Sequence, residues 1–271
     1  MNLESAAKYL ELPHRIKLSY VEQGSTSGIP VLLLHGVTDS WHSFERVLPH
    51  LPASMRVFAL SQRGHGDSDR PAAGYHPRDF AADAAAFMDR LKLESAVIVG
   101  HSMGSYVAQQ FAMHYPERTS GLVLVGSFIN CRDNPGVVEF WESAVKELTD
   151  PIDPDFVLEF QESTLARPVP QTFLDLVVQE SLKVPARVWK AAFAGLLEAD
   201  LSGELDKIRS PTLILWGDQD AYFPRRDQDT LAEAIASSQL VVYPGTGHAL
   251  HWEEPERFAA DLAGFVQKII R

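Results

Sequence analysis

The sequence predicts an α/β protein built on a mostly parallel, doubly wound sheet, and three observations carry that reading. Short apolar, β-branched runs recur at residues 30–34, 56–60, 96–99, 122–125, 211–216 and 240–243. Unbroken runs of this kind mark strands buried on both faces. Amphipathic helical patterns separate several of them, and such alternation folds into a parallel sheet with helices on both sides. Between about 127 and 207 the rhythm breaks, and four helical patterns follow one another with no strand among them. The expected organisation is therefore a core of residues 1–128 and 207–271, with a helical cap of residues 129–206 inserted after the sixth strand.

Composition bounds the function. The chain has 271 residues, long enough for one large α/β domain, and its 45% hydrophobic and 22% charged residues are ordinary for a globular protein. A formal net charge of -12 repels phosphates and argues against nucleic acid or an anionic membrane as partner. Cys131 is the single cysteine, which excludes an intrachain disulfide and a Cys-rich metal site. The first twelve residues lack the basic and apolar regions of a signal peptide, and no apolar run reaches membrane-spanning length. The expectation is a soluble, cytoplasmic protein acting on a small molecule.

In chain order, residues 9–12 and 16–21 read as a pair of short strands around Pro13-His14, and a polar turn at 23–28 leads to the buried strand at 30–34. That strand stops at His35-Gly36-Val37, and the next, 56–60, stops at Ser61-Gln62-Arg63-Gly64-His65-Gly66-Asp67-Ser68. Residues 79–91 form a helix whose stripe is Phe80, Ala84, Phe87, Met88 and Leu91, with Asp79, Asp83 and Asp89 largely off it. In the inserted block, Val137 to Leu148, Phe156 to Phe160, Phe173 to Val178 and Val188 to Leu196 give four apolar faces punctuated by prolines. The last third predicts a strand at 211–216, a helix near 227–235, a strand at 240–243 and a helix at about 255–270.

The chemistry centres on Gly100-His101-Ser102-Met103-Gly104. The strand at 96–99 precedes it, and a helix from Met103 to Tyr115 follows and ends at Pro116. Strand, sharp turn and helix with serine at the turn is the nucleophile elbow. The flanking glycines suit a turn in which helix and strand backbones nearly touch. A serine hydroxyl keeps its proton at neutral pH, so it needs a general base, and the base needs a carboxylate to orient it. Asp220 stands just past one strand and His248 just past the next, in the order serine, acid, histidine expected of this arrangement. A parallel sheet brings all three to one edge. Asp218 and Asp133 compete for the acid and His251 for the base; Gly245 and Gly247, which make a flexible turn before His248, favour that histidine.

Through His35-Gly36, Arg63 to Ser68, the elbow, Trp216-Gly217-Asp218-Gln219-Asp220 and Gly247-His248, the chain resembles the α/β-hydrolase superfamily, in its capped serine esterase or lipase-like branch. The resemblance implies that Ser102 attacks a carbonyl, His248 shuttles the proton and Asp220, matching W-G-x-x-D, holds the imidazole. It also implies an oxyanion hole from the backbone N–H groups of Met103 and Val37. Ser105 stands where the family usually has a second glycine, a departure expected to alter helix packing slightly. The resemblance implies no cofactor and no metal. It implies ester hydrolysis, with lactone, carbon–carbon, amide or perhydrolase chemistry on the same triad, or a non-catalytic receptor, as alternatives. Ser102 at the elbow sets aside the epoxide and haloalkane hydrolases of this fold, which use aspartate. Position alone nominates Trp41, Phe128, Trp141, Phe160, Trp189, Phe193, Phe223 and Leu250 as the bulky residues near an apolar pocket.

Overall fold

The computed structural model describes residues 7–269. Its sheet has eight strands: β1 (Lys8–Glu11), β2 (Lys17–Gln23), β3 (Ile29–Leu34), β4 (Met55–Leu60), β5 (Ala96–His101), β6 (Thr119–Val125), β7 (Thr212–Gly217) and β8 (Ser238–Tyr243). They lie in the order β1-β2-β4-β3-β5-β6-β7-β8. β1 and β2 pair antiparallel, as do β2 and β4, and every later neighbour is parallel. The two short strands expected near the N-terminus thus form an antiparallel edge on a parallel sheet.

Period-two alternation divides the sheet's side chains between two cores. Leu32, Leu34, Phe58, Leu60 and Ile98 pack on one face against α1 (Pro77–Arg90) and α2 (Met103–His114). Val31, Leu33, Val57, Ala59, Val97 and Val99 point the other way. There they share a core with Phe258, Leu262 and Val266 of the last helix, Pro255–Ile269. The expected end of that helix, Ile270, falls outside the described residues.

The insertion contains α3 (Pro135–Ser143), α4 (Pro154–Glu162), α5 (Gln171–Leu182) and α6 (Ala186–Glu198). The first is shorter than its apolar pattern suggested. Ala144 leaves helical geometry and a tight turn at Val145–Glu147 follows, which sinks Val145 completely into the core. The two ends of the insertion are pinned together by an antiparallel bridge between Asn130 and Asp200. After β7 come α7 (Arg225–Ala234), then α8 (Leu250–Glu253) and α9, the Pro255–Ile269 helix.

Asp83 departs from its expected place off the apolar stripe of α1. It is buried and accepts a two-pronged ion pair from Arg63, with Nε to Oδ2 and Nη2 to Oδ1 both at 2.6 Å. The guanidinium of the loop after β4 offsets the cost of burying a carboxylate there. No helix among the described residues is long and apolar enough to cross a membrane.

Candidate active site

Ser102 sits between β5 and α2 at φ 52 and ψ -119, a conformation a side-chain-bearing residue holds only when its surroundings enforce it. The enforcement is visible. The Ser102 N–H donates to the Val125 carbonyl at 2.9 Å, locking the turn to the end of β6. A Cβ on Gly100 would lie 2.0 Å from the Gly104 carbonyl oxygen, and one on Gly104 would lie 2.2 Å from that of Leu34. Backbone meets backbone at both places, so neither position admits a side chain. Ser105, in place of the expected glycine, turns its hydroxyl to the Ser102 carbonyl at 2.7 Å and adds a hydrogen bond inside the elbow. The Met103 N–H is one of the first-turn donors that an α-helix leaves without an intrahelical acceptor.

His248 Nδ1 lies 2.9 Å from Asp220 Oδ2, and both side chains are buried. The other carboxylate oxygen accepts the backbone N–H groups of Tyr222 at 2.8 Å and Phe223 at 3.1 Å, which orients Asp220 from behind. Asp218, by contrast, is turned outward to the N–H of Gly245, and Asp133 accepts from Asn130 at the surface. His251 is wholly buried on α8 with Nε2 3.2 Å from Ser43 Oγ, and burial pushes its pKa down to about 3. His101 contacts the His248 carbonyl through Nε2 at 3.2 Å, and burial holds its pKa well below the usual imidazole range. His35 accepts the Gln62 N–H on Nε2 at 2.9 Å and donates from Nδ1 to the Gly36 carbonyl, shaping the loop after β3.

The turn before His248 is tighter than its glycines suggested. Gly245 has φ 69, but Gly247 is there for close approach: a Cβ would stand 2.7 Å from both the Ala166 nitrogen and the Thr164 oxygen. The Ala249 N–H donates to that Thr164 carbonyl at 3.0 Å, and Glu253 Oε1 accepts from both Ala166 and Gly247 at 2.9 Å. The chain just after α4 is therefore fastened to the histidine loop.

Ser102, His248 and Val37 line one pocket between the sheet edge and the insertion. Of the bulky residues nominated from the sequence, Phe128, Phe160, Phe193 and Phe223 line it. Phe128 and Phe223 stack at 4.3 Å, and Phe140, which the sequence reading passed over, stacks on Phe160 at 5.5 Å. The other four nominations are displaced for packing reasons. Trp41 and Leu250 belong to the core on the opposite face of the sheet. Trp189 is fully buried within the insertion against Phe156 and Phe160, and Trp141 packs on the outside of that cluster. An apolar residue at helical spacing looks the same whether it faces a neighbour or a cavity.

Four polar pocket residues carried no sequence signal: Asp39, Gln161, Thr164 and Tyr222. Asp39 is 4% exposed, and burial pushes its carboxyl up to about 7 although Gln161 and Ser43 donate to it. Cys131 also lines the pocket, where burial raises its thiol and keeps it protonated.

A family model described as the alpha/beta hydrolase fold matches residues 29–255. A non-heme chloroperoxidase of Streptomyces lividans is 29% identical over 92% of this chain and 95% of its own length. A 2-hydroxymuconate semialdehyde hydrolase of Pseudomonas sp. strain CF600 is 29% identical over 89% and 88%. Among solved structures, an esterase from Exiguobacterium antarcticum superposes with a TM-score of 0.86 at 27% identity, covering 96% of this chain and 99% of that one. With the family match spanning most of the length and the sheet order above beneath it, the chain belongs to the alpha/beta hydrolase fold family.

Proposed function

We propose that the protein is a serine hydrolase that cleaves carboxylic esters of small to medium, largely apolar substrates through an acyl-enzyme. The observation that supports this most is the shared placement of Ser102 and His248 on one aromatic-lined pocket, with Asp220 gripping Nδ1 of the imidazole. In this reading Ser102 Oγ attacks the ester carbonyl while His248 Nε2 takes its proton. The tetrahedral oxyanion rests on the N–H groups of Met103 and Val37. Collapse expels the alcohol, which leaves with the proton from His248. Water then attacks the acyl-enzyme by the same route and releases the acid. Loss of one oxyanion donor typically costs about 3 kcal/mol of transition-state stabilisation. The inserted helices α3–α6 act as a cap whose aromatic residues receive the acyl group.

The similarity to a chloroperoxidase and to a semialdehyde hydrolase supports a second reading, in which the same triad serves perhydrolysis or carbon–carbon cleavage. One experiment tests the shared premise. Intact-mass spectrometry after exposure to a fluorophosphonate should show one adduct on the wild type and none on Ser102→Ala. A panel of p-nitrophenyl esters, lactones and diketones then separates the two readings. A folded wild type without an adduct would overturn both and favour a ligand receptor on this fold.

A further inference from the structure

Asp39 is a pocket carboxyl that the proposed chemistry leaves without a task. It lies two residues beyond Val37, on the loop that follows β3. Its Oδ1 accepts a hydrogen bond from Gln161 Nε2 of α4 at 3.1 Å, and its Oδ2 accepts one from Ser43 Oγ at 3.3 Å. Gln161 Nε2 also donates to Ser181 Oγ of α5 at 2.7 Å, and Ser181 Oγ lies 3.1 Å from Thr38 Oγ1. Two consecutive loop residues are thus tied to two helices of the insertion. Thr38 itself stands at φ 69, an unfavourable place for a β-branched residue that persists only where the surroundings hold it. Val37 lies between this strained residue and Gly36, and the direction of its N–H follows from how the loop is held.

We propose that Asp39 is a positioning residue whose carboxylate, through Gln161, holds the 36–39 loop so that the Val37 N–H faces the developing oxyanion. The inference rests on the hydrolase reading above. Filling space does not explain the residue, because an aliphatic side chain would pack there without the cost of burying a charge. Among the described residues its surroundings offer no resident cation: His101 beside Gly36 and His251 behind Ser43 are held neutral by burial, and Gln161 and Ser181 are uncharged.

The test uses the full chain with p-nitrophenyl butyrate across pH, together with the rate of fluorophosphonate labelling, for wild type and Asp39→Asn. A loop misplaced by a fraction of an ångström should lower kcat on the order of 10- to 100-fold. KM should change little, since the lost interaction belongs to the transition state. Labelling of Ser102 should slow in parallel. An unchanged kcat with an unchanged labelling rate, or a raised KM alone, overturns the inference. If Asp39→Asn does not fold, Gln161→Ala decides by the same kcat criterion, since it cuts the α4 end of the tie and spares the carboxyl. A wild type that neither turns over nor labels defeats the hydrolase reading itself; a labelled wild type with an equally fast variant defeats only the role of Asp39.

Discussion

Asp39 carries a cost that can be measured apart from any activity. A carboxyl whose folded pKa rises from 3.8 to about 7 binds its proton more tightly in the native state, so its contribution favours folding at low pH. As pH climbs from about 4 to 7 that contribution is lost, by a total on the order of 4 kcal/mol. Asp39→Asn should therefore match the wild type most closely at pH 5 and gain on it at pH 8, read as urea-unfolding free energies at both. A difference independent of pH would mean that the carboxyl ionises as it does in water. Individual residues differed in how legible they were. The places of Ser102 and His248 could be read because their neighbours in sequence announce a sharp turn and a strand end. Asp220 stands at the third position after Gly217, where the loop returns its carboxylate to His248. Asp39 could not be read, because Gln161, the donor that reveals its situation, lies 122 positions away.

Elements were legible where burial alone dictates them. Six unbroken apolar runs gave the parallel strands, and the proline-punctuated helical block gave the insertion. Pairings between polar groups from separate elements were not. The Arg63–Asp83 ion pair joins the loop after β4 to α1, and Asp83 also meets His14 Nε2 at 2.8 Å from the turn between β1 and β2. In sequence Asp83 is one acid among several on a helix. In the fold it is the point to which three segments are fastened. Asp83→Ala would strand a buried guanidinium and should destabilise the protein by about 3–5 kcal/mol in urea unfolding. A loss below about 1 kcal/mol would show that water reaches Arg63 freely.

At the scale of the whole molecule, buried imidazoles govern the response to acid. His35, His65, His101 and His251 are all buried, and burial lowers each: His65 to about 4, His251 to about 3, the other two well below the usual range. Each is neutral in the folded chain and takes a proton on unfolding once pH drops below 6.5. Stability from these groups is therefore complete above that value and is lost progressively on acidification. Asp39 has the opposite sign, but the four imidazoles outweigh it, so these groups together take up protons on unfolding in acid. Unfolding free energies in urea should fall from about pH 6.5 to about pH 4.5, and a flat dependence would mean that the imidazoles are hydrated.

The bonds that join Thr164 and Ala166 to the loop of His248 have a consequence for timing. The chain after α4 and the loop that carries His248 are, through Ala249, Gly247 and Glu253, a single mechanical part. Lifting the chain after α4 to admit or release a ligand would drag the imbedded imidazole away from Asp220. If the serine hydrolase reading holds, an open pocket would then be a disarmed one.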